Sequence, residues 1–177
     1  VILVIGGSLG ARSINNGIAA SLGELQPDVQ LMWQTGKLYH AEMVEKSKTM
    51  SMTNLHLFDF IQRMDLAFGL ADVVISRAGA SSISELAVLG KAAIFVPSPN
   101  VSEDHQTKNA QAMANEDAAV LVRDAQADTL IAVAQDLLHN SGKTMELGRR
   151  ILEFARPEAA HDIALEVLQL IQNDDRH

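Results

Sequence analysis

No cysteine occurs in the 177 residues, so neither a disulfide framework nor a thiolate metal site can form. A cysteine-free chain fits a reducing compartment. Positive charge is also short. Fourteen Lys and Arg against 22 Asp and Glu leave a formal net charge of −8, which excludes a nucleic-acid binder that relies on broad phosphate neutralisation. Local anion binding survives that exclusion, because helix N-termini and backbone amides hold phosphate without net positive charge. Long apolar runs are missing, and none approaches the about 20 residues a membrane span needs. The histidines (His40, His56, His105, His139, His161 and His177) form neither an H-x-x-x-H nor a carboxylate-paired spacing. No metal ligands, and no cofactor, are expected.

What is present is an ordinary globular balance, 47% hydrophobic and 20% charged, with ample material for a core. The opening VILVIGG already reads as a buried strand, which suggests a domain cut from a longer protein. Strands are expected at 1–5, 29–33, 55–58, 73–75, 92–96 and 118–122. Between them fall helices at 11–22, 38–48, about 63–69, 83–89 and about 106–116. Short apolar runs bounded by Gly, Pro or polar turns suit parallel strands covered on both faces. The alternation implies one doubly wound α/β domain with a six-stranded parallel, Rossmann-like sheet. The chain then turns helical. Leu130, Val133, Ala134, Leu137 and Leu138 share one helical face, and Ile163, Val167 and Ile171 repeat the pattern.

Ligands of open α/β sheets bind at the carboxyl ends of the strands, so the loops there carry the functional reading. GGSLGAR (6–12) follows the first strand and opens a helix. Its glycines, Gly7 among them, allow close backbone approach to a phosphate, and Ser8 adds a hydroxyl. The spacing does not fit the dinucleotide fingerprint G-x-G-x-x-G, and QTGK (34–37) lacks the acid that fingerprint wants after the second strand. Nor is there a Walker Gly-Lys-Ser/Thr. A phosphate loop remains; an NAD site does not.

SRAGASSISE (76–85) is the second loop. Ser82-Ile-Ser-Glu85 fits a capping box, in which Glu85 serves the helix's own N–H groups. Alternatively Gly79, Ala80, Ser81 and Ser82 offer donors to a diphosphate, and Glu85, one turn in, accepts from a ribose diol. Arg77 is expected to order the loop or pair with a carboxylate rather than to touch ligand. In PSPNVSEDHQTKN (97–109), Gln106 and Asn109 lie one helical turn apart and could address one polar ligand such as a sugar. A polar surface helix start explains them equally.

Taken together and in order, GGSLGAR, the FIQRM turn (60–64), SRAGASSISE and EDHQTKNA resemble the carboxy-terminal half of the MurG family of UDP-N-acetylglucosamine transferases, over essentially the whole chain. The resemblance implies the second half of a two-domain GT-B glycosyltransferase that binds the nucleotide sugar. It further implies Ser8 at the diphosphate, the Ile61 backbone at uracil with Phe60 against the ring and Met64 nearby, and Ala80, Ser81 and Ser82 along phosphate and nucleoside. Glu85 would hold the ribose hydroxyls, and Gln106 and Asn109 the N-acetylglucosamine. His105 stands where some relatives carry a second glutamine. By the same resemblance the family transfers N-acetylglucosamine, with inversion, onto a lipid-linked acceptor held by an amino-terminal domain outside this chain. That work belongs to peptidoglycan synthesis, peripherally on the cytoplasmic side of the bacterial inner membrane. No catalytic residue is assigned within these 177 residues. Another nucleotide-sugar enzyme of this architecture (an epimerase or glycolipid synthase) and a noncatalytic nucleotide-binding module are the competing readings.

Overall fold

The computed structural model describes residues 1–7, 10–99 and 104–174, with side chains through Ile171. Six strands form one parallel sheet: β1 (Ile2–Ile5), β2 (Leu31–Gln34), β3 (Leu55–Phe58), β4 (Val73–Ser76), β5 (Ala92–Phe95) and β6 (Val120–Leu121). Their order across the sheet is β3-β2-β1-β4-β5-β6. Ile2 pairs with both Leu31 and Val73, which makes β1 and β4 the neighbours at which the winding reverses. The crevice outside their carboxyl ends is where this topology places a ligand.

Side chains alternate across each strand, and both faces are covered. Ile2, Val4, Leu31, Trp33, Val73, Ile75 and Ile94 join one core layer with α1 (Arg12–Ser21) and α6 (Leu130–His139). Leu3, Ile5, Val74, Ala93 and Phe95 join the other, against α3 (Met64–Leu70), α4 (Ala80–Leu89), α5 (His105–Asn115) and α7 (Ser141–Leu152). The expected face of α6 is buried at Leu130, Ala134 and Leu137. A short helix, α2 (His40–Ser47), covers β2 and β3.

Three elements depart from the sequence reading. The run at 118–122 pairs only at Val120–Leu121. Its first residue closes α5 instead: Asp117 takes a left-handed φ of 51°, with Asp117 N–H donating to Ala114 and Ala118 N–H to Met113. Helix α7 has no counterpart in the sequence reading; Asn140 caps it by accepting from Lys143 N–H at 3.0 Å. The last helix, α8 (Ala159–Asp174), forms with the expected periodicity but buries none of it, for Ile163, Val167 and Ile171 are all exposed.

On the outer face of α7, Glu146 accepts hydrogen bonds from Arg149 and Arg150, and these hold its carboxyl down to about 2 from an ordinary 4.5. A carboxylate whose folded pKa is depressed contributes above its unfolded value and loses that contribution as pH falls through the folded one. Titration of the Glu146 carboxyl carbon by NMR should therefore show a midpoint near 2, with any stabilisation lost between about pH 4.5 and 2. A midpoint near 4.5 would mean that the pairing does not persist in solution.

Candidate functional site

The β1–α1 turn is shaped by its glycines. Gly10 has a φ of +79°, and a Cβ there would lie 2.2 Å from the Thr35 carbonyl oxygen, so the loop can lie against the β2 exit only with glycine. Gly7 also has a left-handed φ, and its carbonyl accepts from Gly10 N–H at 3.1 Å. The bare amides of the first turn of α1 then face the crevice. Ser8 lies outside the described residues.

The β4–α4 turn is built differently from the sequence reading. Helix α4 begins at Ala80 rather than Ile83, with Gly79 as its extended N-cap and Ile83 N–H donating to the Gly79 carbonyl at 3.0 Å. Ser82 is thus the third helical residue, and no side chain caps the helix. The capping box is not formed. Its physical reason is that a glycine at the cap can turn the chain three residues earlier than Ser82 could. Among the described residues Glu85 has no ion-pair or side-chain hydrogen-bond partner, and it is exposed.

Arg77 organises the turn, as its position among small residues suggests. Its guanidinium donates to the carbonyls of Val96 (3.0 Å) and Pro97 (3.2 Å), to Asp124 Oδ1 (2.5 Å) and to Ser13 Oγ (2.6 Å). Ser13 Oγ in turn donates to the same Asp124 oxygen. One side chain therefore ties the exits of β4 and β5 to α1 and to the 3-10 turn Asp124–Thr129. Gly17 lets α1 approach that turn, since a Cβ would lie 2.3 Å from the Ala127 carbonyl oxygen. Sequence reading found Arg77 but could not find Asp124, which comes from 47 residues further on.

A cavity of about 500 Å³ opens among these loops, lined by Gly6, Gly10, Ser13, Arg77, Gln106 and Asp124 with their neighbours. Its size suits a small-molecule ligand. Gln106 and Asn109 sit on the first turns of α5, each with half of its amide engaged: Gln106 Oε1 accepts from Ser98 N–H at 2.9 Å, and Asn109 Nδ2 donates to the Ala78 carbonyl at 3.2 Å. The Gln106 NH2 and the Asn109 carbonyl have no printed role in holding the loops together among the described residues. His105 is the exposed first residue of α5.

The FIQRM turn leaves β3 beside β2. Phe60 is 46% exposed, a high value for an aromatic ring, whereas Ile61 is buried and packs with Met64, Phe68 and Ile83. The Ile61 N–H is already committed, donating to Gln34 Oε1 at 2.8 Å. Glu85 does not line the cavity at the glycine loop. It borders a separate groove with Phe68, Val88, Leu89 and Arg156. The structure thus gathers Gly79, Ala80, Ser81, Ser82, Gln106 and Asn109 onto the two helix starts that meet at the crevice, and leaves Phe60, Met64 and Glu85 on the α3–α4 side. No group of three or more metal-ligating side chains occurs among the described residues.

Sheet order, the two crevice helices and the glycine turn define an α/β domain of the Rossmann-like, doubly wound class. Residues 1–163 match the glycosyltransferase family 28 C-terminal domain, and the chain belongs to that family. It is 50% identical over 175 residues to the UDP-N-acetylglucosamine–N-acetylmuramyl-(pentapeptide) pyrophosphoryl-undecaprenol N-acetylglucosamine transferase of Bacteroides fragilis, covering 97% of this chain and 46% of that protein. It is 47% identical over 174 residues to the enzyme of the same name from Flavobacterium psychrophilum, covering 97% and 47%. The chain spans about half the length of these relatives. The crystal structure of Acinetobacter baumannii MurG superposes with a TM-score of 0.80 at 31% identity, over 97% of this chain and 49% of that one. The Neisseria meningitidis UDP-GlcNAc 2-epimerase bound to UDP-GlcNAc shares the fold, with a TM-score of 0.65 at 14% identity over 95% of this chain and 43% of that one.

Proposed function

We propose that this chain is the donor-binding half of an inverting transferase that moves N-acetylglucosamine from UDP onto a lipid-linked muramyl-pentapeptide acceptor. The observation that carries the reading is the joint one. Relatives named for that transfer match the chain end to end, and the glycine turn and the α4 start meet at the sheet's switch point. In this reading the amides at Gly7, Ser8 and the Gly79–Ser82 turn receive the diphosphate, and the helix N-termini stabilise the charge that develops on it as UDP leaves. Phe60 covers the uracil, with Met64 close by. Because the Ile61 amide is spent on Gln34, uracil would meet the Ile61 carbonyl rather than its N–H. Glu85, unpartnered among the described residues, takes the ribose diol. The Gln106 NH2 and the Asn109 carbonyl take sugar hydroxyls, with His105 beside them.

The acceptor, its general base and any peripheral attachment to the cytoplasmic face of the inner membrane belong to the longer protein. Among the described residues no helix is long and apolar enough to cross a membrane. Calorimetry with UDP, UDP-N-acetylglucosamine, ADP and NAD tests the reading: the two uridine ligands should bind, and ADP or NAD binding as tightly as UDP would overturn it. Tight binding of a different UDP-sugar in preference to UDP-N-acetylglucosamine would favour an epimerase or glycolipid synthase instead.

Glu85→Gln gives a second, more local test. A hydrogen bond to a charged group is worth about 1.5–3 kcal/mol, so UDP affinity should fall roughly 10- to 100-fold. The melting temperature of the free protein should barely move, because Glu85 caps nothing. Unchanged affinity would remove Glu85 from the site.

A further inference from the structure

The segment QTGK lacks the acid that a dinucleotide site would want, and no ligand role falls to it. Yet Gln34, the last residue of β2, is only 5% exposed and has both ends of its carboxamide committed. Oε1 accepts from the Ile61 N–H at 2.8 Å, and Nε2 donates to the Gly7 carbonyl at 3.3 Å. One side chain thus spans the gap between the glycine turn after β1 and the FIQRM turn after β3. The two contacts have opposite polarity, and only a carboxamide of this length satisfies both.

The residues flanking Gln34 are anchored as firmly. Trp33 Nε1–H donates to Asn15 Oδ1 at 2.9 Å, and Asn15 Nδ2 donates to the Thr35 carbonyl at 2.8 Å. Thr35 N–H and Oγ1–H both donate to the Phe58 carbonyl, at 2.9 and 3.1 Å. Asn15 and Thr35 are fully or almost fully buried. The backbone that carries Gln34 is therefore fixed to α1 on one side and to the β3 exit on the other, and its side chain has little freedom to follow either loop alone.

We infer that Gln34 is a positioning residue that sets the distance between the diphosphate loop and the base turn, so that a nucleoside diphosphate is recognised as one object rather than as two fragments. This rests on the uridine-diphosphate reading above. Gln34 touches no ligand. It holds the Gly7 carbonyl back from the phosphates and fixes the Ile61 peptide plane, and with it the carbonyl that would face the base.

Two variants of similar length separate this from a purely structural role. Gln34→Glu keeps the acceptor for Ile61 N–H but sets a carboxylate against the Gly7 carbonyl; Gln34→Met removes both bonds. Calorimetry with uridine and with UDP reads the outcome. Gln34→Glu should bind UDP about tenfold or more weakly while uridine binding stays within about twofold, since only the diphosphate end is disturbed. Gln34→Met should lose affinity for both and lose preference for UDP over CDP. Equal weakening of uridine and UDP in Gln34→Glu, or no weakening, would overturn the inference.

Hydrogen exchange on the unaltered protein covers the case of variants that do not fold. Uridine alone should slow exchange of the Gly10 N–H, which bonds to Gly7 on the far side of the strut. No change there would also overturn the inference. An unaltered protein that fails to bind UDP sinks the functional reading and this one together, whereas one that binds UDP with Gln34→Glu unaffected sinks this one alone.

Discussion

Given UDP-N-acetylglucosamine and a lipid-linked acceptor, these 177 residues alone are expected to release no UDP above the uncatalysed background. On the proposed reading, transfer needs an acceptor hydroxyl held close to the anomeric carbon, and such positioning can account for about 7–11 kcal/mol of barrier reduction. The cavity at the switch point offers nothing for that task. Its lining includes one carboxylate, Asp124, whose Oδ1 already accepts from Arg77 and Ser13. No histidine lines it. The relatives that carry the transferase name are about twice as long, which leaves room for the acceptor site elsewhere in them. The measurement is UDP release and disaccharide-lipid formation, with and without the other half of such a relative supplied in trans. Robust turnover by the chain alone would mean that the reacting groups lie within it and have been overlooked.

Replacing Arg77 with leucine is expected to be the most damaging single change to the folded state of the crevice. Arg77 is 16% and Asp124 23% exposed in their side chains, so the pair is shielded though not sealed. Removing one partner of a buried pair costs about 3–5 kcal/mol, and the partial exposure here points to the lower end. For a chain of this size a loss of about 3 kcal/mol lowers the melting temperature by roughly 6–12 °C. Arg77→Lys keeps the charge but cannot reach two carbonyls, Asp124 and Ser13 at once, so it should fall between. The double variant Arg77→Leu/Asp124→Leu should lose less than the sum of the two single changes, because neither partner is then left unpaired. Strict additivity in that cycle would show that the contact contributes little in solution.

The sheet was legible from residues 1–122 because its strands are short apolar runs between turn residues, and burial on both faces leaves few other arrangements for them. The start of α4 and the length of β6 were misplaced for a common reason. Both depend on which backbone N–H meets which carbonyl at a helix end, and that choice is made over one or two residues: at Gly79 for α4, at Asp117 and Ala118 for the end of α5. Helix α7 was not read because its buried residues, Leu147, Gly148 and Ile151, make a narrow face in which a glycine occupies a core position. Only the packed structure explains that glycine, since a Cβ on Gly148 would lie 2.5 Å from the Gly90 carbonyl oxygen.

Local sequence by itself determined the loops that carry function, because phosphate-cradling turns need glycine and small hydroxyl residues at fixed places next to strand ends. It also marked Arg77 as an organiser. Tertiary structure alone decided what those loops are fastened to. Asp124 meets Arg77 across 47 residues and Gln34 meets Ile61 across 27, distances over which no periodicity or motif operates. Tertiary structure also overruled the capping box, since a Gly79 free to take the cap position moved the helix start past Ser82. A motif states which groups are available to bond. The sheet order decides which of them are brought within 3 Å, and here it joined β1, β2 and β3 so that one glutamine could bridge two loops that the sequence presents as unrelated.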